Sequence, residues 1–297
     1  MKRKTKRPHA ARRSANVRHA IRSTMCRIAV ALLLTAFGCG KTNEAREQLT
    51  RAREMYGNRR FTAAKNVIDT LRANWPREVD VLKEALTLMR MVERAESEQN
   101  IAYCDSLMPL RIAEAERLKQ GFVFEKNAEY EDVGNYVRRR LTVERNVERS
   151  HIRCGVDERG EMYLASIYFG SRPLNHTGLR LTAPDGSFAQ TATIPFDGGM
   201  NYRFRDGGNT TEVVTYKGEN CLGAVNFVYG ADKRTRIRAE YTGGTAFSLS
   251  LTEADKEDIR ATYDLAVVLG DIETMRLEKE KSAKKIRYLD DRLNEEI

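Results

Sequence analysis

Histidine is scarce in this chain: there are four, and His9 and His19 fall within the first 27 residues, leaving His151 and His176. Metal centres and acid–base catalysis both draw heavily on imidazole. No H-E-x-x-H, Walker loop, dinucleotide glycine motif or EF-hand loop occurs either. The sequence therefore offers no catalytic residue, no metal ligand set and no cofactor motif. Cysteine is also sparse, with five residues and no C-x-x-C, which excludes a thioredoxin-like pair and a zinc ribbon. Acidic residues are missing altogether from residues 1–27, where ten Lys or Arg are gathered. The apolar run that follows, residues 28–37, is only ten long, and a membrane-spanning helix needs roughly 20.

The last two features belong together. A basic segment, the run Ile28 to Phe37, and the pair Gly38-Cys39 make a secretory leader over residues 1–38. Met25 is an alternative start that leaves the compact leader 25–38. The stretch Leu34-Thr-Ala-Phe-Gly-Cys39 resembles a bacterial lipobox, with Gly directly before the Cys, although Ala36 and Phe37 stand where that pattern usually has Leu and a small residue. The resemblance implies cleavage before Cys39, a lipid on Cys39 and attachment to a membrane, the outer membrane being the expected one. Ordinary cleavage with a free Cys39 is the other reading.

Removing the leader changes the charge argument. The whole chain carries 51 basic and 42 acidic residues, a formal net charge of +9. Ten of the basic residues leave with the leader, so 41 then face 42 acidic ones. The basic footprint of a nucleic-acid binder leaves with them, and no nucleic-acid partner is expected. Export also opens an oxidising compartment to Cys104, Cys154 and Cys221. Cys154 and Cys221 both fall in strand-like sequence, so a bridge between them and a pair of buried free thiols are both open.

Residues 39–121 read as helical. A hairpin is expected from Glu44 to Gly57 and from Phe61 to Asn74, with Pro76 stopping the second helix. Ala52, Met55, Phe61, Ala64, Ile68, Leu71 and Pro76 fall at packing positions that resemble a single tetratricopeptide repeat. One copy of such a repeat must bury its apolar face on something else, such as the next helix. That helix is expected over 78–119, with a stripe of Val79, Leu82, Leu86, Met89 and Val92, a break near Pro109, and a resumption at Leu107, Leu110 and Ala113. At the other end, residues 252–297 open on the capping sequence Thr252-Glu-Ala-Asp255 and continue with Ile259, Tyr263, Ala266 and Leu269 at helical spacing. Two long amphipathic helices around a middle block predict an antiparallel coiled-coil stalk.

The middle block, residues 122–251, reads as β. Strands are expected at Ile152 to Val156, Met162 to Phe169, Leu179 to Ala183, Phe188 to Ala192, Glu212 to Tyr216, Val225 to Tyr229, Arg236 to Tyr241 and Phe247 to Leu251. Residues 195–209, rich in Gly and Asp, read as a flexible loop. The fold class is therefore α+β, with the central antiparallel strands closing as a sandwich or an open barrel. Tyr130 to Tyr136, Gly160 to Gly170, His176-Thr-Gly178 and Ala183 to Phe188 resemble a group of uncharacterised lipoproteins from anaerobic gut bacteria. That resemblance implies export and the helix–sheet–helix plan, and brings no activity.

The remaining candidates are ligand contacts. His176 lies in the turn-like stretch Pro173 to Gly178, and Tyr202 and Phe204 lie in the expected loop, where a histidine or an aromatic ring can meet a ligand. Packing in a turn or in the core is the plainer reading of each. His151 and Cys154 are three apart on a strand and so face opposite ways, which disfavours a Cys–His pair. Ser187 lacks the second Gly of a nucleophile elbow, and Glu129, Glu131 and Asp132 form an acid cluster of the kind common on surfaces. These features lead to the expectation of a non-catalytic cell-envelope lipoprotein that binds another envelope protein. A carbohydrate- or peptide-binding module using the β block is the alternative, and a hydrolase with an unrecognised site is the third.

Overall fold

The computed structural model describes residues 41–295 except 128, 130 and 131. The expected leader over residues 1–38, Cys39 and Glu131 lie outside the described residues. The described residues form two compact units, one of residues up to Gln99 together with those from Ser282 on, and the other Asn100–Lys281. The division passes through two long helices, whereas the sequence placed its boundaries at residues 121 and 251.

In the first unit, helix α1 covers 41–57, α2 is Phe61–Asn74, and the first half of α3, Val79–Lys119, completes a three-helix core. Ala45, Leu49 and Ala52 of α1 and Phe61, Ala64, Ile68 and Leu71 of α2 are all buried there. Val81, Ala85, Leu88 and Val92 of α3 close the core, so the lone hairpin buries its apolar face on the next helix. The buried face of α3 is rotated from the expected stripe: Val79 and Leu86 are exposed, and Ala85 lies inside. A small residue lets helices approach closely, so the seam follows Ala85 rather than the larger aliphatics on either side. Between α1 and α2 the chain turns through Arg59 at φ 58°, and the Arg60 amide donates to the Met55 carbonyl at 2.8 Å. That six-residue closure is a Schellman-type stop, made without glycine at the left-handed position. Arg53–Glu84 and Lys65–Glu96 ion pairs tie the hairpin to α3. The end of helix α5, Glu253–Asn294, joins this unit through the pair Lys285–Glu93 at 3.4 Å.

The second unit holds the β block. Its strands are β1 Phe122–Glu125, β2 Asn135–Arg138, β3 His151–Asp157, β4 Met162–Gly170, β5 Gly178–Thr182, β6 Phe188–Gln190, β7 Asn201–Asp206, β8 Asn209–Lys217, β9 Arg238–Thr242 and β10 Phe247–Ser250. Among the described residues they form two antiparallel sheets, in the orders β1-β2-β3-β4-β8-β7 and β10-β9-β5-β6. Tyr241 of the smaller sheet donates its hydroxyl to carbonyls of His151 and Ile167 in the larger one. Its ring also stacks edge-on with Phe247, which in turn meets Tyr168. The two sheets are thus layers of one core, and the block is not a single closed barrel.

Two helices complete that core. One is α4, Glu219–Gly230, where a strand was expected at Val225 to Tyr229. Cys221, Ala224, Val225 and Val228 are buried at helical spacing, and that periodicity outweighs the β-branched and aromatic composition of the segment. The other is α5, which buries Ile259, Leu265, Ala266, Val268 and Leu269. Its first turn is capped reciprocally: the Asp255 amide donates to Thr252 Oγ1 at 3.2 Å, and the Thr252 amide donates to Asp255 Oδ2 at 2.8 Å. Gly160, in the β3–β4 turn at φ 91°, lies so close to α5 that a Cβ there would fall 2.3 Å from the Gly270 nitrogen. In this unit α3 and α5 pair antiparallel, with Lys279 meeting Asp105 and Arg111 meeting Asp271 at 3.0 Å. α3 runs through Pro109 without ending, and Leu110 and Ala113 face outward while Cys104 and Ala115 are buried.

Two further expectations are corrected here. Residues 201–209 are not a loop but the β7–β8 hairpin, closed by Gly207 and Gly208 at φ 54° and 85°. A pair of positive-φ residues between two strands is the type I′ turn whose twist matches antiparallel neighbours. Of the two readings left open for Cys154 and Cys221, the bridge is not formed and the buried free thiols are found. Cys154 Sγ lies 3.4 Å from Thr262 Oγ1 on α5, whereas Cys221 points its thiol at the carbonyls of Met162 and Gly218.

Candidate functional site

Alternation along the strands gives the six-stranded sheet two unlike faces. Ile152, Cys154, Leu164, Val214 and Tyr216 point into the core. The opposite side chains of the same strands line a cavity of about 540 Å³. Its floor is β4 and β8, paired Ala165 with Thr215, Ile167 with Val213, and Phe169 with Thr211. Tyr163 and Lys217 stand at one end of this floor, and Asn209 at the other. β7 raises one side with Tyr202 and Phe204, which are 38% and 53% exposed. β3 contributes His151 and Arg153 to the other side, and the segment 143–149 between β2 and β3 supplies a rim.

The charged groups fall in two places. At the Tyr163 end, Arg153 gives Nη2 to Glu125 in a salt bridge, and the side chain of Lys217 is exposed. Toward the far end lie Glu148, Arg149 and Asp206. Glu148 holds φ 57°, in the left-handed region that residues other than glycine adopt uncommonly. His151 is buried, which pushes its pKa below the ordinary value, and the neighbouring Arg149 and Arg153 charges act the same way. It is therefore neutral at pH 7, with Nδ1 donating to the Arg149 carbonyl at 2.9 Å.

His176 is not in this cavity. The sequence offered it as a surface ligand contact, and the structure buries it to 1% exposure on the other face of the sheet. Its Nδ1 lies 2.8 Å from Glu212 Oε2, and its Nε2 lies 2.9 Å from Ser166 Oγ. Glu212 also accepts the amides of Leu174, Asn175 and His176. Burial works to raise the Glu212 pKa, but these hydrogen bonds outweigh it and hold the carboxyl below its usual range. An ionised Glu212 needs Nδ1–H as donor; Nε2 lies within hydrogen-bond distance of both the hydroxyl and, at 3.3 Å, the carbonyl of Ser166, and the Ser166 hydroxyl also meets that of Tyr216 at 3.0 Å. The order Ser–His–Glu is that of a hydrolytic triad. Ser166, His176 and Glu212 are nevertheless all buried, and none borders the cavity. The network satisfies the polar atoms of the crossing from β4 to β5.

Of the expected contacts, then, Tyr202 and Phe204 reach the cavity and His176 does not. Sequence reading missed Ile167, Val213, Arg153 and Lys217. A signal for them was present: β4 is apolar at both parities, Met162 to Phe169, which marks a strand with an apolar environment on each face. Ser187 proves to be a turn residue, donating through its amide and hydroxyl to Asp185 Oδ1. Among the described residues, no group of His, Cys, Asp and Glu is arranged to hold a metal ion, and no helix is long and apolar enough to cross a membrane. No family model, no curated protein and no solved structure matches this chain.

Proposed function

We propose that this protein is an exported, lipid-anchored component of the bacterial cell envelope that binds another envelope protein without catalysis, and that the outer-face cavity is its reading surface. The leader and the Gly38-Cys39 pair support the anchor, through a lipid on Cys39. The cavity carries the binding reading. Its volume of about 540 Å³ lies within the span of roughly 300–1,000 Å³ common to ligand sites, with Ala165, Ile167 and Val213 at the centre of its floor and mostly polar and charged side chains around its wall. Exposed Tyr202 and Phe204 beside it are residues of the kind that anchor protein contacts. A carbohydrate reader is the second reading, favoured by the same aromatic rings.

The test is a photo-cross-linker in place of Tyr202 in the anchored chain in cells, with the same group at Tyr288 on α5 as a control, since Tyr288 is also exposed. One dominant envelope protein joined at 202 and not at 288 is expected. The same adducts from both positions, or none from 202, would reject the cavity as the reader. In the same cells, Cys39→Ser should move the protein from the membrane to the soluble fraction. Retention of the serine variant in the membrane would remove the lipid anchor from the proposal.

A further inference from the structure

The shape and charge of the cavity point to an extended peptide segment as its occupant, with an acidic group at the Lys217 end; this rests on the binding reading above. Alternate residues of β8 line the cavity from Asn209 to Lys217. The eight steps between these nine residues span about 27 Å at the usual rise per residue, so the site is a trough along the strand rather than a round pocket. A trough of that length matches seven or eight residues of extended chain, at about 3.3–3.6 Å each.

The floor decides between chain types. Ala165, Ile167 and Val213 at its centre offer no hydrogen bonds, and only the hydroxyls of Thr211 and Thr215 interrupt them. Polar groups such as Asn146, Arg149 and Asn209 stand in the wall, so a sugar ring laid flat on the floor's centre would meet no hydrogen-bonding group of Ala165, Ile167 or Val213 beneath it, at a cost for each hydroxyl turned that way. Apolar side chains of a peptide would be covered instead, between Tyr163 and the Tyr202–Phe204 edge. Charge sets the direction. The Tyr163 end holds Arg153, Glu125 and Lys217, and the paired Arg153 and Glu125 cancel, which leaves Lys217 in excess. The far end holds Arg149 against Glu148 and Asp206, an excess of one negative charge. A segment with an acidic residue or carboxylate toward Lys217 and a basic group toward Asp206 complements both.

The test uses the mature chain and fluorescein-labelled heptapeptides with Leu, Val or Phe at the three central positions. Each is made with an Asp-containing free-acid C-terminus or as an uncharged amide, and neutral glucan and chitin oligosaccharides are run in parallel. Free-acid peptides are expected to bind about three- to fivefold more tightly than the amides, with that preference lost in Lys217→Glu. Tyr202→Ala combined with Phe204→Ala should abolish binding of both forms. Oligosaccharide binding that needs Tyr202 and Phe204, or peptide binding indifferent to Lys217→Glu, would overturn the peptide assignment and leave the cavity as a reader. Peptide or sugar binding unaffected by the double variant, or no binding of either with no adduct at residue 202, would overturn the reading of the cavity itself.

Discussion

Glu212 brings a carboxylate into the core on the inner face of β8, at 2% exposure. A buried ion is tolerated only where its lone pairs are met, and here His176 and three backbone amides meet them. Glu212→Gln is expected to cost about 2–3 kcal/mol at pH 7, read by urea unfolding, because an amide oxygen cannot replace the charge-assisted bonds. The pH dependence has a definite sign. The folded carboxyl titrates below its ordinary value of 4.5, so its contribution is complete above that pH and is lost as the pH falls through the folded value. The gap between wild type and variant should therefore narrow below about pH 4.5, and a gap that is constant from pH 7 to pH 3 would mean that the ionised form matters little. The thiols make a second case at this scale. Burial pushes Cys154 up to about 12 and Cys221 up to about 11, so neither is a thiolate at neutral pH and both serve as small packing groups.

At the scale of elements, the helices were the most legible part. α2 begins and ends where its periodicity and Trp75-Pro76 place it, and the Thr252–Asp255 cap opens α5 as expected. α4 and β7 were misread because composition was weighed above period in one and above turn chemistry in the other. Asp206-Gly-Gly-Asn209 is a hairpin signal between two alternating segments, and treating its glycines as looseness hid an edge strand. Gly208 carries φ 85°, so Gly208→Ala is expected to cost about 1 kcal/mol and to weaken amide protection along β7 while sparing β3. Unchanged protection of β7 would show that the turn tolerates a side chain. Because Tyr202 and Phe204 ride on this hairpin, the same change should loosen binding at the cavity edge.

At the scale of the whole molecule, two separate apolar cores exist, one for each compact unit. Each is buried by different residues, so damage to one should register locally. Ile68→Ala, in the helical core, is expected to cost about 2–4 kcal/mol and to speed hydrogen exchange in α1 and α2 while leaving the β3–β4 amides protected. Uniform loss of protection through both units would show a single cooperative block instead. Much of this organisation follows from one-dimensional information. Helical period and caps are local properties, and they suffice for the hairpin and the two long helices, whereas only some of the strands follow from alternation. The candidate site needed more. Which face of β4 meets the core, which strand lies beside β8, and that His176 is turned inward to Glu212 all depend on partners 36 to 50 residues away in the chain. Strand neighbours and register are set by the packing of distant segments, and no local pattern carries that information.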